Sequence, residues 1–189
     1  MISFSKLVAV LGILSRPILS GIVIPRDHCT WLEGNYSVEL KCIGNQVVVG
    51  ACGSGENGDC ANGIYTKLLC CSFPFYYYSK CEKFGSYHGR PNSCLDHGEL
   101  MLEGTCGSGK NLDCGGFSVE NSCCEGYMLT GGMVGPRREQ CTWLYANHGH
   151  DIKCGRDDEV VAGRCGSGEN KDCPEDSSHG ILCCEFVEI

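Results

Sequence analysis

Aromatic residues are scarce in this sequence, and long apolar runs are missing from it. Aromatic side chains make up 8% of the 189 residues and charged side chains 20%, whereas glycine occurs 27 times. Such a chain offers few bulky apolar residues for one large core, which argues against a large single-core enzyme domain. No run of about 18 apolar residues occurs, so we expect no transmembrane segment.

The strongest apolar stretch lies at the N-terminus. A short start with one positive charge, Met1 to Lys6, precedes an apolar run over residues 7–15, and small residues follow at Ser20 and Gly21. This order is typical of a secretory signal. Arg16 ends the run far below the length that spans a bilayer. We therefore predict a signal peptide over residues 1–20 and a secreted, extracellular protein.

The remaining chain is acidic. Loss of residues 1–20 leaves 13 basic against 23 acidic residues, a formal charge of −10. Nucleic acid is then a poor partner, because binding it requires lysines and arginines that neutralise phosphates. The same charge disfavours attack on anionic membranes, which needs a basic face.

The 18 cysteines form a repeat of six. Twelve residues separate the first and second cysteine of every set and seven separate the third and fourth, and an adjacent pair closes each set. The sets are Cys29, Cys42, Cys52, Cys60, Cys70 and Cys71; Cys81, Cys94, Cys106, Cys114, Cys123 and Cys124; and Cys141, Cys154, Cys165, Cys173, Cys183 and Cys184. This spacing indicates three copies of one unit.

We assign the units to residues 27–73, 79–127 and 139–187, which we call the first, second and third segments. Residues 72–80 and 126–140 carry proline or glycine and suit linkers. A unit of this size buries too little apolar surface to fold alone, so we expect three disulfides in each.

Short β-favouring runs recur in every segment. One run, over residues 46–49, 99–102 and 159–162, is ended by glycine at Gly50, Gly104 and Gly163. Further runs cover residues 64–69, 180–182 and 36–41. These patterns predict a small, disulfide-rich, mainly β protein of three tandem units. Each unit is expected to be a short antiparallel sheet of three strands.

The adjacent cysteines limit the disulfide pairing. Neighbouring residues of a strand point to opposite faces, so Cys70 and Cys71 must bridge in different directions. Spacing alone leaves 15 pairings in each unit.

The order of four separated cysteines and a closing pair resembles the β-defensin framework. The stretch from Gly50 to Cys71 is also similar to the second half of sea-anemone sodium-channel toxins. In both families the first cysteine pairs with the fifth, the second with the fourth and the third with the sixth. The resemblance therefore implies Cys29–Cys70, Cys42–Cys60, Cys52–Cys71, Cys81–Cys123, Cys94–Cys114, Cys106–Cys124, Cys141–Cys183, Cys154–Cys173 and Cys165–Cys184.

The loop between the third and fourth cysteines repeats a Gly-Ser-Gly-(Glu/Lys)-Asn-x-Asp sequence. A tight turn is the favoured interpretation, because glycine supplies positive φ and Asn and Asp cap their own backbone. The oxygen-bearing side chains also suit a weak calcium site. The candidates are Glu56, Asn57, Asp59, Asn111, Asp113, Glu169, Asn170 and Asp172. We expect no other metal and no cofactor.

Two further features concern the surface. The aromatic residues Trp31, Trp143, Tyr76, Tyr77 and Tyr78 either stack on sugars and anchor a partner or, the favoured reading, cover a small disulfide core. The sequon Asn35-Tyr36-Ser37 makes Asn35 a candidate N-glycosylation site.

The sequence offers no nucleophile elbow, and the repeat leaves no thiol for catalysis, so we expect no enzyme activity. We predict a secreted, multivalent binding protein for an extracellular protein, glycan or channel. The resemblance favours host defence or toxin-type recognition of a surface or receptor. The alternative is an acidic structural protein of an extracellular matrix, egg coat, adhesive or mineralised layer with weak calcium binding.

Overall fold

The computed structural model describes residues 21–35, 37–53, 60–87, 89–107, 112, 114–147, 149–166 and 173–189. The predicted signal peptide and all eight calcium candidates lie outside these ranges. The fold is mainly β with nine disulfides, as the sequence predicts. Among the described residues, no helix is long and apolar enough to cross a membrane.

In its described residues, each segment contributes four strands rather than the expected three. The first holds β1 (Cys29–Gly34), β2 (Leu40–Lys41), β3 (Gln46–Cys52) and β4 (Thr66–Ser72). The second holds β5 (Tyr76–Ser86), β6 (Asn92–Ser93), β7 (Met101–Gly107) and β8 (Val119–Met128). The third holds β9 (Met133–Ala146), β10 (Ile152–Lys153), β11 (Glu159–Gly166) and β12 (His179–Glu188). Short 3₁₀ turns cover Arg26–His28, Ala61–Gly63, Cys94–His97 and Pro174–Asp176.

The described residues of the predicted β runs lie in or beside strands, but the glycines do not end them. Strand β3 continues through Gly50 and shifts its register against β4 between Val48 and Gly50. Strands β7 and β11 shift in the same way at Gly104 and Gly163. The glycines are therefore sites of β-bulges, where an extra residue bends the strand. The strand missing from the prediction is the one that contains the first cysteine of each set, as in β1.

The disulfides are nested, so the pairing implied by the toxin and defensin resemblance is wrong. Strand β1 runs antiparallel to β4 with Cys29 directly opposite Cys71, and this register joins the first cysteine to the last. Cys70 and Cys71 do bridge in different directions, as predicted. The bonds are Cys29–Cys71, Cys42–Cys70, Cys52–Cys60, Cys81–Cys124, Cys94–Cys123, Cys106–Cys114, Cys141–Cys184, Cys154–Cys183 and Cys165–Cys173.

The segments do not form separate sheets, which corrects the second part of the predicted fold. One sheet has four strands in the order β1-β4-β3-β10, and the other has eight. The two-residue strand before each second cysteine pairs with the bulged strand of another segment: β2 with β7, β6 with β11 and β10 with β3. These pairings run from first to second, from second to third and from third to first, so they close a ring.

The expected linkers are also part of the sheets. Residues 76–80 belong to β5, and most of residues 126–140 belong to β8 and β9. A turn joins these last two strands, with the Met128 amide donating to the Gly132 carbonyl at 2.8 Å.

A core shared by all three segments replaces the three small cores that the composition suggested. Its centre holds the three disulfides between second and fifth cysteines, with apolar side chains from every segment around them. The apolar members are Leu40, Val48, Ala51, Leu68, Leu102, Ile152, Val161 and Ile181. Each segment has few apolar residues, and the ring lets the other two segments cover them.

Candidate binding site

A row of four residues crosses neighbouring strands at each junction of the ring, on the sheet face opposite the central core. At the junction of the third and first segments, Trp31 lies opposite Leu69. Leu69 in turn lies opposite Gly50, and Gly50 lies opposite Lys153. Because neighbouring residues of a strand alternate between faces, Leu68 enters the core and Leu69 belongs to this row.

The other two junctions carry equivalent rows with different side chains. The second–third junction has Trp143, Leu182, Gly163 and Ser93. The first–second junction has Lys83, Ser122, Gly104 and Lys41. The same backbone arrangement therefore presents three different sets of side chains.

The Trp31 row borders an open pocket of about 300 Å³. Its lining comes from the first and third segments and consists of Arg26, Cys29, Trp31, Leu69, Lys153, Cys154 and Asp157. Gly50 leaves the centre of the row without a side chain, and a Cβ atom there would lie 2.6 Å from the Ile152 carbonyl oxygen. The glycine is therefore needed for the close approach of β10.

Arg26 holds one wall of the pocket. Its Nη2 donates to the carbonyl oxygens of Arg156 at 2.5 Å and Glu159 at 3.0 Å. Its Nε lies 3.5 Å from the Asp157 carboxylate. Burial lowers the pKa of the Arg26 guanidinium, and the Asp157 carboxylate opposes that change. The contacts fix the residues before Cys29 against the third segment.

Two lysines lie over the Trp31 ring. The Lys67 ammonium is 4.8 Å from the ring centre and 2.8 Å from the Asp151 carboxylate. The Lys153 ammonium is 5.8 Å from the ring centre. No carboxylate among the described residues pairs with Lys153, so the pocket carries one uncompensated positive charge beside an aromatic face.

The Trp143 junction is closed by an apolar side chain. Leu95 follows Cys94, is only 5% exposed and packs in one cluster with Leu182 and Trp143. The residue that follows Cys154 at the Trp31 junction is Gly155, where an added Cβ would meet nothing within 4 Å. The filled and the open junction therefore differ at this position, in addition to the difference between Ser93 and Lys153.

The Lys83 junction is closed by charge. The Lys83 ammonium lies 3.1 Å from Glu39 and 3.0 Å from Glu120. The hydrogen bonds that the ammonium donates to Glu120 and Glu39 raise the pKa of Lys83. Lys41 pairs with Glu103 at 3.4 Å. Both lysines of this row therefore form ion pairs with carboxylates of the protein.

The predicted aromatic candidates divide between core and surface. Tyr76 is 2% exposed and packs edge-on against Tyr78 and Phe186, and burial raises the pKa values of both tyrosines. These two residues follow the core-covering interpretation. Tyr77 remains exposed and stacks on Tyr127 at 5.7 Å. Of the two tryptophans, Trp31 borders the pocket, whereas Trp143 stacks on Tyr145 at 5.8 Å.

The candidate glycosylation site lies at the surface. Asn35 is exposed beside a turn in which its carbonyl accepts from the Val38 amide at 3.2 Å. Two clusters of metal-ligand type, one around Glu103 and one around Glu159, draw their sulfurs from disulfides, which are not available as thiolate ligands.

Sequence reasoning missed Arg26, Lys153 and Asp157, although one signal points to Arg26. Arginine stands three residues before the first cysteine in both the first and third segments, as Arg26 and Arg138. Arg138 also donates from Nη2 to a carbonyl of the neighbouring segment, that of Leu95. Lys153 and Asp157 carry no repeated signal and are brought to Trp31 only by the closure of the ring.

Comparisons of this chain with protein-family models, with curated proteins and with solved structures give no match.

Proposed function

We propose that this chain is a secreted, non-enzymatic binding protein that recognises an extracellular ligand through the Trp31 pocket. One observation carries the proposal. Of three equivalent rows, the first–third junction leaves an aromatic face and a cation open to solvent, while Leu95 or paired carboxylates fill the others. A concave, mainly apolar site with a few polar groups is the usual form of a small-ligand site.

Secretion is supported by the cysteines and the N-terminus. All 18 are bridged, a state that an oxidising compartment maintains and the cytosol does not. The apolar run over residues 7–15 has the form of an export signal.

The valency we propose differs from that expected from the repeat. Three equal units would offer three equal sites, but only the glycine is common to all three rows. Two rows share the tryptophan and leucine, and two share a lysine, which is paired with carboxylates in one of them. We therefore propose one ligand per chain. Host defence or toxin-type recognition is the setting suggested by the order of the cysteines alone, and the proposal does not depend on it.

A larger side chain beside the pocket tests the proposal. Gly155→Leu adds a leucine beside Cys154, which lines the pocket, as Leu95 stands beside Cys94 at the second–third junction, and Gly155→Ala is the matched control. The wild-type protein and the alanine variant are expected to bind at least one member of a panel of acidic and neutral oligosaccharides, aromatic acids and short peptides. The leucine variant is expected to lose that binding. Equal binding by all three proteins, or binding by none, contradicts the proposal, and calcium-dependent assembly without any pocket ligand favours the matrix alternative.

A further inference from the structure

We infer that the Trp31 pocket takes an acidic sugar, a pyranose ring that carries a carboxylate or sulfate group. This inference rests on the proposed function and names the ligand class of the same site. It follows from three properties of the pocket: its flat apolar surface, its charge and its size.

The apolar surface matches one face of a sugar ring. Trp31 is partly exposed, and Leu69 and Cys29 continue its apolar surface into the pocket. Gly50 keeps the floor between Leu69 and Lys153 free of a side chain. A pyranose offers a face of C–H groups that packs against apolar side chains, while its hydroxyl groups point outward to polar partners.

The charge of the pocket selects an anion. Lys67 is compensated by Asp151 and Arg26 by Asp157, which leaves the Lys153 ammonium over the tryptophan. A carboxylate or sulfate in the pocket would accept a charge-assisted hydrogen bond from this ammonium. The local charge opposes the formal charge of the whole mature chain, so it favours a short ligand bearing few charges over a dense polyanion.

The polar rim provides a partner for hydroxyl groups. The side chain of Asp157 is 69% exposed and has oxygens left to accept hydrogen bonds after its contact with Arg26. Ligand hydroxyls would donate to it, whereas a simple aromatic acid has no group for it. A volume of about 300 Å³ lies at the lower end of small-ligand pockets and suits one or two sugar rings rather than a folded partner.

The experiment compares one sugar in charged and neutral forms. Affinities are measured by calorimetry for a galacturonate trimer, its methyl ester, a sulfated galactose trimer and phenylacetate. The proteins are the wild type, Lys153→Gln and Lys41→Gln. Lys41 occupies the position equivalent to Lys153 at the first–second junction, so its substitution changes the net charge equally and serves as the matched control.

At least one acidic sugar is expected to bind the wild type more tightly than the ester does, by roughly fivefold or more. Lys153→Gln is expected to remove that difference and to leave ester binding unchanged, whereas Lys41→Gln retains the difference. Preference for the uronate or for the sulfated trimer identifies which anion is used.

Equal affinities for acid and ester, or binding of phenylacetate without either acidic sugar, overturn the inference and leave the proposed function standing. If no ligand of the wider panel binds the wild type, both the inference and the proposed function fail.

Discussion

Arg164 of the third segment donates from Nη2 to the carbonyl oxygen of Cys52 in the first segment, at 3.2 Å. Its Nη1 lies 3.3 Å from the Thr105 hydroxyl oxygen of the second segment. Arg164 is 1% exposed. Thr105 and Arg164 both directly precede the third cysteine of their segments, so one repeated position joins the second and third segments, and the Cys52 contact adds the first.

Arg164→Ala is expected to lower the free energy of unfolding by roughly 3 kcal/mol, because it removes a buried side chain and its hydrogen bonds to two other segments. Guanidinium unfolding with the disulfides intact measures the change. Arg90→Ala, at an exposed arginine, is the control and should change stability by less than about 0.5 kcal/mol. Equal effects of the two substitutions would show that Arg164 does not join the segments.

Gly50→Ala is expected to weaken the closure of the ring between the third and first segments. The new Cβ would lie 2.6 Å from the Ile152 carbonyl oxygen and 3.3 Å from the Lys153 Cα, so β10 must move. Crowding of this kind costs about 1 to 3 kcal/mol.

Hydrogen exchange gives a local measurement of this effect. The Cys154 amide donates to the Val49 carbonyl at 2.9 Å beside the new side chain, and it should exchange faster in Gly50→Ala. Gly155→Ala adds the same methyl group in open space and should leave that amide protected. Unchanged protection of Cys154 in Gly50→Ala would argue against the close approach of the two strands.

Much of the local structure could be predicted, because neighbouring side chains of a strand point to opposite faces. The runs before the third cysteine and before the closing pair became β3, β4 and their counterparts, and the opposite directions of Cys70 and Cys71 follow from strand geometry alone. The disulfide pairing was not predictable, since it depends on the register of β1 against β4, and the spacing leaves 15 choices open.

The ring and the pocket could not be predicted from the sequence for a related reason. Two-residue strands such as β10 carry almost no pattern, so their pairing with another segment is decided by tertiary contacts. Trp31 and Trp143 look equivalent in the sequence. They differ in the residues that the ring brings from another segment, which are Lys153 and Gly155 beside Trp31 and Ser93 and Leu95 beside Trp143.

Arg26→Lys is expected to loosen the pocket wall although it keeps the charge. A lysine cannot reproduce the guanidinium contacts with the Arg156 and Glu159 carbonyls and the Asp157 carboxylate together. We expect a loss of about 1 to 2 kcal/mol in unfolding free energy.

The same substitution should speed hydrogen exchange at the Ile24 amide, which donates to the Asp157 carbonyl at 2.8 Å. Wild-type stability together with wild-type exchange at Ile24 would show that Arg26 does not hold the wall.

Disulfide mapping tests the nested pairing. Pepsin digestion in acid without reductant, with cleavage inside β3 and between Cys60 and Cys70, should release a fragment in which Cys52 is joined to Cys60 alone. The segment equivalents are Cys106–Cys114 and Cys165–Cys173. A fragment that joins Cys42 to Cys60 would contradict the nested pairing.

The most direct test of the proposed binding site is whether the ligand contacts Trp31 and not Trp143. The two indole N–H groups give separate signals in a ¹⁵N-labelled protein, and Trp31→Phe assigns them. Titration with the galacturonate or sulfated galactose trimer should shift the Trp31 signal and leave the Trp143 signal in place, with one ligand bound per chain. A shift of Trp143, or binding that moves neither indole, would contradict the claim that the first–third junction is the open site of the ring.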